Sequence, residues 1–155
     1  MRCKERLQEY LASKGVSFEV EQHRVAYTAQ EVAAAEHISG KQVVKVVVAL
    51  ADGKMVMLAL PASRRVDLEK LKAQLGVGEL RLAREEEFAS LFPDCEVGAM
   101  PPFGQLYGVP VYVDPELTSL PEIVFQAGSH TETVRMRYDD YAKLVGPRVM
   151  DLAYR

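Results

Sequence analysis

Apolar positions along this chain recur with two periods, and the switches between them mark the elements. The run Gly40-Lys41-Gln42-Val43-Val44-Lys45-Val46-Val47-Val48-Ala49-Leu50 holds five valines in eleven residues. Ala51-Asp52-Gly53 supplies a turn, and Met55-Val56-Met57-Leu58-Ala59-Leu60 is a second apolar run. β-branched runs joined by such a turn predict a hairpin in the middle of a sheet. A strand apolar on both sides of its pleat is covered on both faces. Lys45 shares a face with Val43 and Val47, so it projects where a lone positive charge is costly. An anion for it to hold would account for that. A lysine guarding an edge strand against aggregation accounts for it equally well. Val44 and Val46 point to the other side and read as core.

Helical spacing of Leu7, Tyr10 and Leu11 predicts a helix from Cys3 to Ser13, stopped by Gly15. Val16 to Val20 alternates as a short strand, followed by a polar loop from Glu21 to Arg24. Thr28-Ala29-Gln30-Glu31 is a capping box, opening a helix to about Glu36. After the hairpin and the loop Pro61 to Arg65, Asp67 caps a helix through Leu75, ended by Gly76 and Gly78. Leu80 and Leu82 suggest a brief strand, and Arg84 to Phe92 a helix with Glu85, Glu86 and Glu87 in its first turn. The loop Cys95 to Gly104 is rich in glycine and proline. Val109 to Val113 is a strand, and Asp114-Pro115 a helix start. Ile123 to Ala127 and Thr131 to Met136 are two further strands around Gly128-Ser129-His130. A helix from Asp139 to Val145 stops at Gly146-Pro147. Strands and helices mix without strict alternation, which predicts α+β: one mixed, mainly antiparallel sheet flanked by helices.

With 155 residues, 48% of them apolar, the chain can bury one core, so residues 1–155 read as a single domain. A net charge of −3 argues against coating nucleic acid, DNA included, through a broad basic face. A contact to one or two phosphates is compatible with it. No apolar run nears the length of a membrane span and no leader pattern opens the chain, so the expectation is a cytoplasmic protein without membrane contact. Cys3 and Cys95, far apart and without CxxC or Cys/His spacing, fit free thiols in a reducing compartment and offer no metal site. No cofactor motif is present.

Several pieces occur in one order: the apolar strand carrying Lys45; Gly98-Ala99-Met100-Pro101-Pro102 continuing into Phe103-Gly104; the strand Val109 to Asp114; and Ala127-Gly128-Ser129-His130 before Thr131-Glu132-Thr133. Together they resemble the YbaK family, which includes the editing insertion of bacterial prolyl-tRNA synthetases and its free-standing relatives. The resemblance runs from about Leu7 to Leu152. It implies a hydrolase that removes the amino acid from a mischarged aminoacyl-tRNA in trans. The aminoacyl-tRNA acceptor end would be its partner, together with a prolyl-tRNA synthetase, and alanine or cysteine the obvious amino acids. It implies that Lys45 grips the phosphate of the 3′-terminal nucleotide. It also implies that the loop from Gly98 to Pro102 positions the ester carbonyl, and that the ribose hydroxyl of the substrate assists the water. Val46 departs from the polar residue many relatives carry after the lysine.

The chemistry can be weighed on its own terms. Ester hydrolysis needs a placed water, donors for the developing oxyanion and a grip on the rest of the substrate. Lys45 on a rigid strand suits the grip, since an ammonium binds phosphate as a point charge. Gly98 lets backbone approach a ligand and Pro102 stiffens the backbone beyond it, so amides there suit the donors. An ordinary surface turn before a strand is the structural alternative. Met100, Pro101, Phe103, Gly128, Ser129 and His130 are the expected substrate-contacting residues, with Met100 and Ala127 limiting pocket size. No side chain stands out as nucleophile, and Cys95 reads as a small core residue. His23 and His37 read as solvated loop and helix-end residues. Arg64, Arg65, Arg135, Arg137, Lys143 and Arg148 are the cations available for tRNA. A non-catalytic tRNA- or synthetase-binding module, and a protein acting on a small phosphorylated metabolite, stay open beside the deacylase.

Overall fold

A computed structural model describes residues 2–155. Helix α1 (Cys3–Ser13) buries Leu7 and Leu11, and strand β1 (Phe18–Gln22) starts two residues later than the alternation predicts. Helix α2 (Ala29–Glu36) begins at the capping box. The Thr28 hydroxyl accepts the Glu31 amide at 3.1 Å, and the Glu31 carboxylate accepts the Thr28 amide at 3.3 Å. The hairpin is β2 (Val44–Ala51) and β3 (Lys54–Pro61), paired along their full length. Helix α3 (Leu68–Leu75) is capped by Asp67 and ends at Gly76, whose φ of +68° few other residues adopt. Strand β4 (Leu80–Leu82) and helix α4 (Glu85–Phe88) follow. The expected helix to Phe92 breaks after one turn into a 3-10 turn over Ala89–Leu91, and a second 3-10 turn spans Gly104–Tyr107. The remaining elements are β5 (Val111–Val113), α5 (Pro115–Thr118), β6 (Glu122–Gln126), β7 (Glu132–Arg137), α6 (Tyr138–Val145) and β8 (Arg148–Val149).

The α+β class holds, but the expected single sheet is split into two ladders. One is mixed, in the order β4-β2-β3-β5-β8, and the other antiparallel, in the order β1-β7-β6. They touch through one bridge, Val43 to Val124, supported by the Val124 amide donating to the Gln42 carbonyl at 3.1 Å. The reason is visible along β2. Its outer edge pairs with β4 only at Ala49–Ala51 and meets β6 only at Val43, so the backbone edge between these points has no strand partner among the described residues. Sheets that part in this way leave a seam, and Lys45 lies in it.

The main core fills the space between the ladders with Val44, Val48, Met57, Phe103, Ile123, Phe125 and Tyr141. On the other face of β2 and β3, Ala49, Leu58, Leu60, Leu71, Tyr112 and Leu152 form a second cluster. A third joins Val32 and Ala33 of α2 to Val43 and Val124, clamping the seam at one end. Among the described residues no helix is long and apolar enough to cross a membrane.

The cysteines correct the sequence expectation: Cys3 and Cys95 form a disulfide with Cα atoms 4.9 Å apart. Their separation of 92 residues hides a contact that arises because α1 packs across the loop following α4. The Cys3 amide donates to the Asp94 carbonyl at 2.9 Å. His23 is likewise no solvated loop residue. Its side chain is 1% exposed and lies against Glu36, because the end of β1 tucks under α2.

Candidate functional site

A cleft of about 340 Å³ opens at the seam, lined by Tyr27 to Gln30 at the start of α2, by Lys45 to Val47 of β2, and by Gly98 and Gln126. Lys45 is half-buried, and no carboxylate among the described residues stands within ion-pair distance of it. Burial pushes its pKa down, and the positive charge of Arg65 pushes it the same way. This half-buried cation, near a second one, has no carboxylate partner among the described residues. Arg65 is exposed, with its guanidinium 5.5 Å from the centre of the Tyr154 ring.

The turn after Cys95 brings Gly98 to the same cleft. Gly98 has a φ of +85°, which disfavours any side chain, and its amide has no acceptor among the described residues. The turn is held by the Glu96 amide donating to the Gly128 carbonyl and the Gly128 amide donating to the Ala99 carbonyl, both at 2.8 Å. The Glu96 carboxylate accepts the His130 amide at 3.0 Å, and the His130 ring donates through Nε2 to the Val97 carbonyl at 3.0 Å. That leaves Nδ1 as the acceptor for the Gln126 amide at 3.4 Å, so the hydrogen bonds fit a neutral imidazole protonated on Nε2. Both ring nitrogens are engaged, and the ring serves as a wall behind Gly98. Tyr27, 64% exposed, leans over it with ring centres 4.8 Å apart.

The structure thus brings Lys45, Gly98 and His130 together and sets the other expected residues apart. Met100, Pro101, Pro102 and Phe103 are buried, and the Pro102 carbonyl accepts the Tyr141 hydroxyl at 2.7 Å. They anchor the loop in the core, and neither Met100 nor Ala127 lines the cleft. Gly128 packs on Cys3, while the Ser129 hydroxyl donates to Glu132 at 3.2 Å. Val46, expected to be core alone, packs on the main core and also lines the cleft. Of the cations proposed for tRNA, Arg64 is paired with Glu116 at 2.9 Å and Arg135 with Glu21 at 2.8 Å. Arg65 is the one whose charge reaches Lys45. Sequence reading missed Tyr27 and Gln126. Gln126 carried a usable signal: like Lys45, it is a polar residue inside an apolar strand, and it is 8% exposed. A larger cavity of about 580 Å³ lies against the tip of the hairpin, α3 and Arg148, and shares no lining residue with Lys45.

The geometry defines an α+β domain whose seam opens into a cleft lined by Lys45 and Gly98. Residues 23–144 match the aminoacyl-tRNA editing domain family, and the chain belongs to that family. It is 31% identical over 102 residues to a proline-tRNA ligase of Heliobacterium modesticaldum, which covers 66% of this chain and 17% of that enzyme, so the match spans a small part of the relative. Among solved structures, one described as a candidate trans-editing enzyme for prolyl-tRNA synthetase superposes with a TM-score of 0.86 at 27% identity, over 100% of this chain and 99% of the other. A structure from work on grafting linear epitopes onto scaffold proteins gives a TM-score of 0.85 at 25% identity, with 100% and 99% covered.

Proposed function

We propose that this domain is a deacylase that acts in trans on mischarged aminoacyl-tRNA, removing a small amino acid such as alanine or cysteine from tRNA for proline. The observation that carries this is the Lys45 ammonium, half-buried and unpaired among the described residues, in one cleft with the free amide of Gly98. Lys45, with Arg65 behind it, holds a phosphate at the 3′ end of the acceptor arm. The Gly98 amide donates to the ester carbonyl oxygen as it gains negative charge. Water adds to the carbonyl carbon, the bond to the ribose oxygen breaks, and that oxygen leaves with a proton as the free hydroxyl. His130, behind Gly98, is not free to act as base, since both its ring nitrogens are engaged. The ribose hydroxyl next to the ester is the group that orients the water. Apolar Val46, Val47 and Ala29 form the wall for the amino-acid side chain, and Tyr27 offers an exposed face on which a terminal base can stack. A prolyl-tRNA synthetase is the source of the error this domain corrects.

A panel of mischarged tRNAs assayed for deacylation tests the reading. The wild type is expected to release at least one small amino acid, and Lys45→Ala to lower kcat/KM by about ten- to a hundredfold, the effect of one charge-assisted contact. Retention of tRNA without turnover would instead identify a binding module, and indifference to tRNA would point to a smaller phosphorylated substrate.

A further inference from the structure

We propose that the Cys3–Cys95 disulfide positions the Gly98 turn, and that its reduction by a dithiol slows hydrolysis at the Lys45 cleft. This rests on the deacylase reading above. The two halves of the bridge reach the site from opposite ends. Cys95 leads directly into Glu96, Val97 and Gly98. Cys3 packs on Gly128, where an added Cβ would lie 2.5 Å from the Cys3 Cβ and 2.6 Å from its Sγ. Gly128 is two residues before His130, and His130 backs Gly98, 3.7 Å from where a Cβ on Gly98 would stand. The bridge therefore fastens both segments to the start of α1. Without it, the backbone bonds to Gly128 and Ala99 still hold the base of the turn, while its contact with His130 depends on hydrogen bonds to Glu96 and Val97, both exposed and open to competition from water.

The geometry also selects the direction of exchange. Cys3 is 2% exposed and Cys95 partly exposed, so a thiolate of the dithiol reaches the Cys95 Sγ. The new bond forms there, the protein S–S bond breaks, and the electron pair goes to the Cys3 Sγ. Cys3 is the first residue of α1, so the departing thiolate forms at the positive end of that helix, while the Tyr107 hydroxyl nearby donates to Asp94 at 3.1 Å. The second thiol of the dithiol then resolves the mixed disulfide and releases Cys95. Two electrons and two protons pass to the protein, leaving two thiols, and the dithiol ends as its own disulfide. In a reducing compartment such a bridge is transient and suits a sensor.

The test compares the full chain oxidised in air with the same chain reduced by dithiothreitol, the bridge being scored by thiol alkylation and intact mass. The expected result is a kcat about tenfold lower on reduction with KM within about twofold, restored on reoxidation, because turn position matters to the chemical step more than to phosphate binding. Cys3→Ser and Cys95→Ser should each match the reduced wild type and ignore dithiothreitol. Should either variant fail to fold, the wild-type pair decides. Equal kcat in both redox forms, or two alkylatable thiols in the air-oxidised chain, would overturn the proposal. Amide resonances of Gly98 and His130 give a readout apart from turnover: they should move on reduction, and unchanged positions also overturn it. If neither form cleaves any ester, the deacylase reading fails while these resonances still decide the role of the bridge.

Discussion

Lys45 and Gly98 line one cleft, the lysine entering from β2 and the glycine from the turn after Cys95. Periodicity and spacing alone do not foretell that the two meet, whereas the family resemblance implies it. The pairing separates a functional lysine from one that merely guards an edge, because the two roles predict opposite trades between activity and stability.

Lys45→Met should lose deacylation and gain stability. Burial and Arg65 hold the folded-state pKa of Lys45 below its ordinary value, so the folded chain binds this proton less tightly than the unfolded chain does. The charge is thus a cost at every pH below the unfolded value, relieved only as pH rises through the alkaline range. Methionine keeps the stem and removes the cost. A higher Tm at pH 7 together with lost turnover is the expected pattern. An unchanged Tm with full activity would mark a solvated edge residue.

Gly98→Ala tests the turn. Space is available, since the added Cβ would stand at an ordinary 3.7 Å from His130, so the penalty comes from the φ of +85°. Holding an L-residue there costs about 1–2 kcal/mol. The local turn can relax to avoid that cost, so the loss should fall on kcat more than on Tm. Steady-state kinetics beside a thermal melt distinguish the two.

How far the sequence could be read depended on whether a residue's meaning was local. The capping box at Thr28, the cap at Asp67 and the hairpin turn at Asp52-Gly53 are local devices, and each stands where the pattern put it. Lys45 was legible because a charge interrupts an apolar strand. Gln126 interrupts another in the same way, but a neutral amide costs less to bury than an ammonium and so marks a site less sharply. The roles of Met100 and Phe103 were not legible: an apolar residue in a loop reads alike whether it walls a pocket or anchors the loop in the core, and here it anchors. The Cys3–Cys95 bridge and the split of the sheet depend on how distant segments pack, which periodicity does not encode.

Arg155→Ala should destabilise the fold without touching the cleft. Asp114 is fully buried, caps α5 through the Glu116 amide at 3.2 Å, and accepts two bonds from Arg155 at 2.6 and 3.2 Å. Removing the guanidinium strands a buried carboxylate. A wholly buried pair broken from one side loses about 3–5 kcal/mol, and with the Arg155 side chain 36% exposed about 2 kcal/mol is expected. Urea unfolding measures it. Asp114→Asn in the Arg155→Ala background should recover part of the loss by neutralising the stranded charge while keeping the cap.

Glu36 offers a pH test at the far side of α2. Its Oε2 accepts the Thr133 hydroxyl at 2.6 Å, while its Oε1 and the Nε2 of His23 lack partners among the described residues. Burial raises the Glu36 pKa, the Thr133 hydrogen bond opposes that, and Glu21 adds to the rise. A raised folded-state pKa means the folded chain binds this proton more tightly than the unfolded one. The resulting stability is fully present below the unfolded pKa and is lost as pH rises through the folded one. Glu36→Gln keeps an acceptor for Thr133 and carries no charge, so it should melt above the wild type at pH 8, with the gap closing toward pH 4. Scanning fluorimetry across that range is sufficient. Parallel Tm profiles would mean that the carboxylate is solvated in solution and that its burial is not what sets its proton affinity.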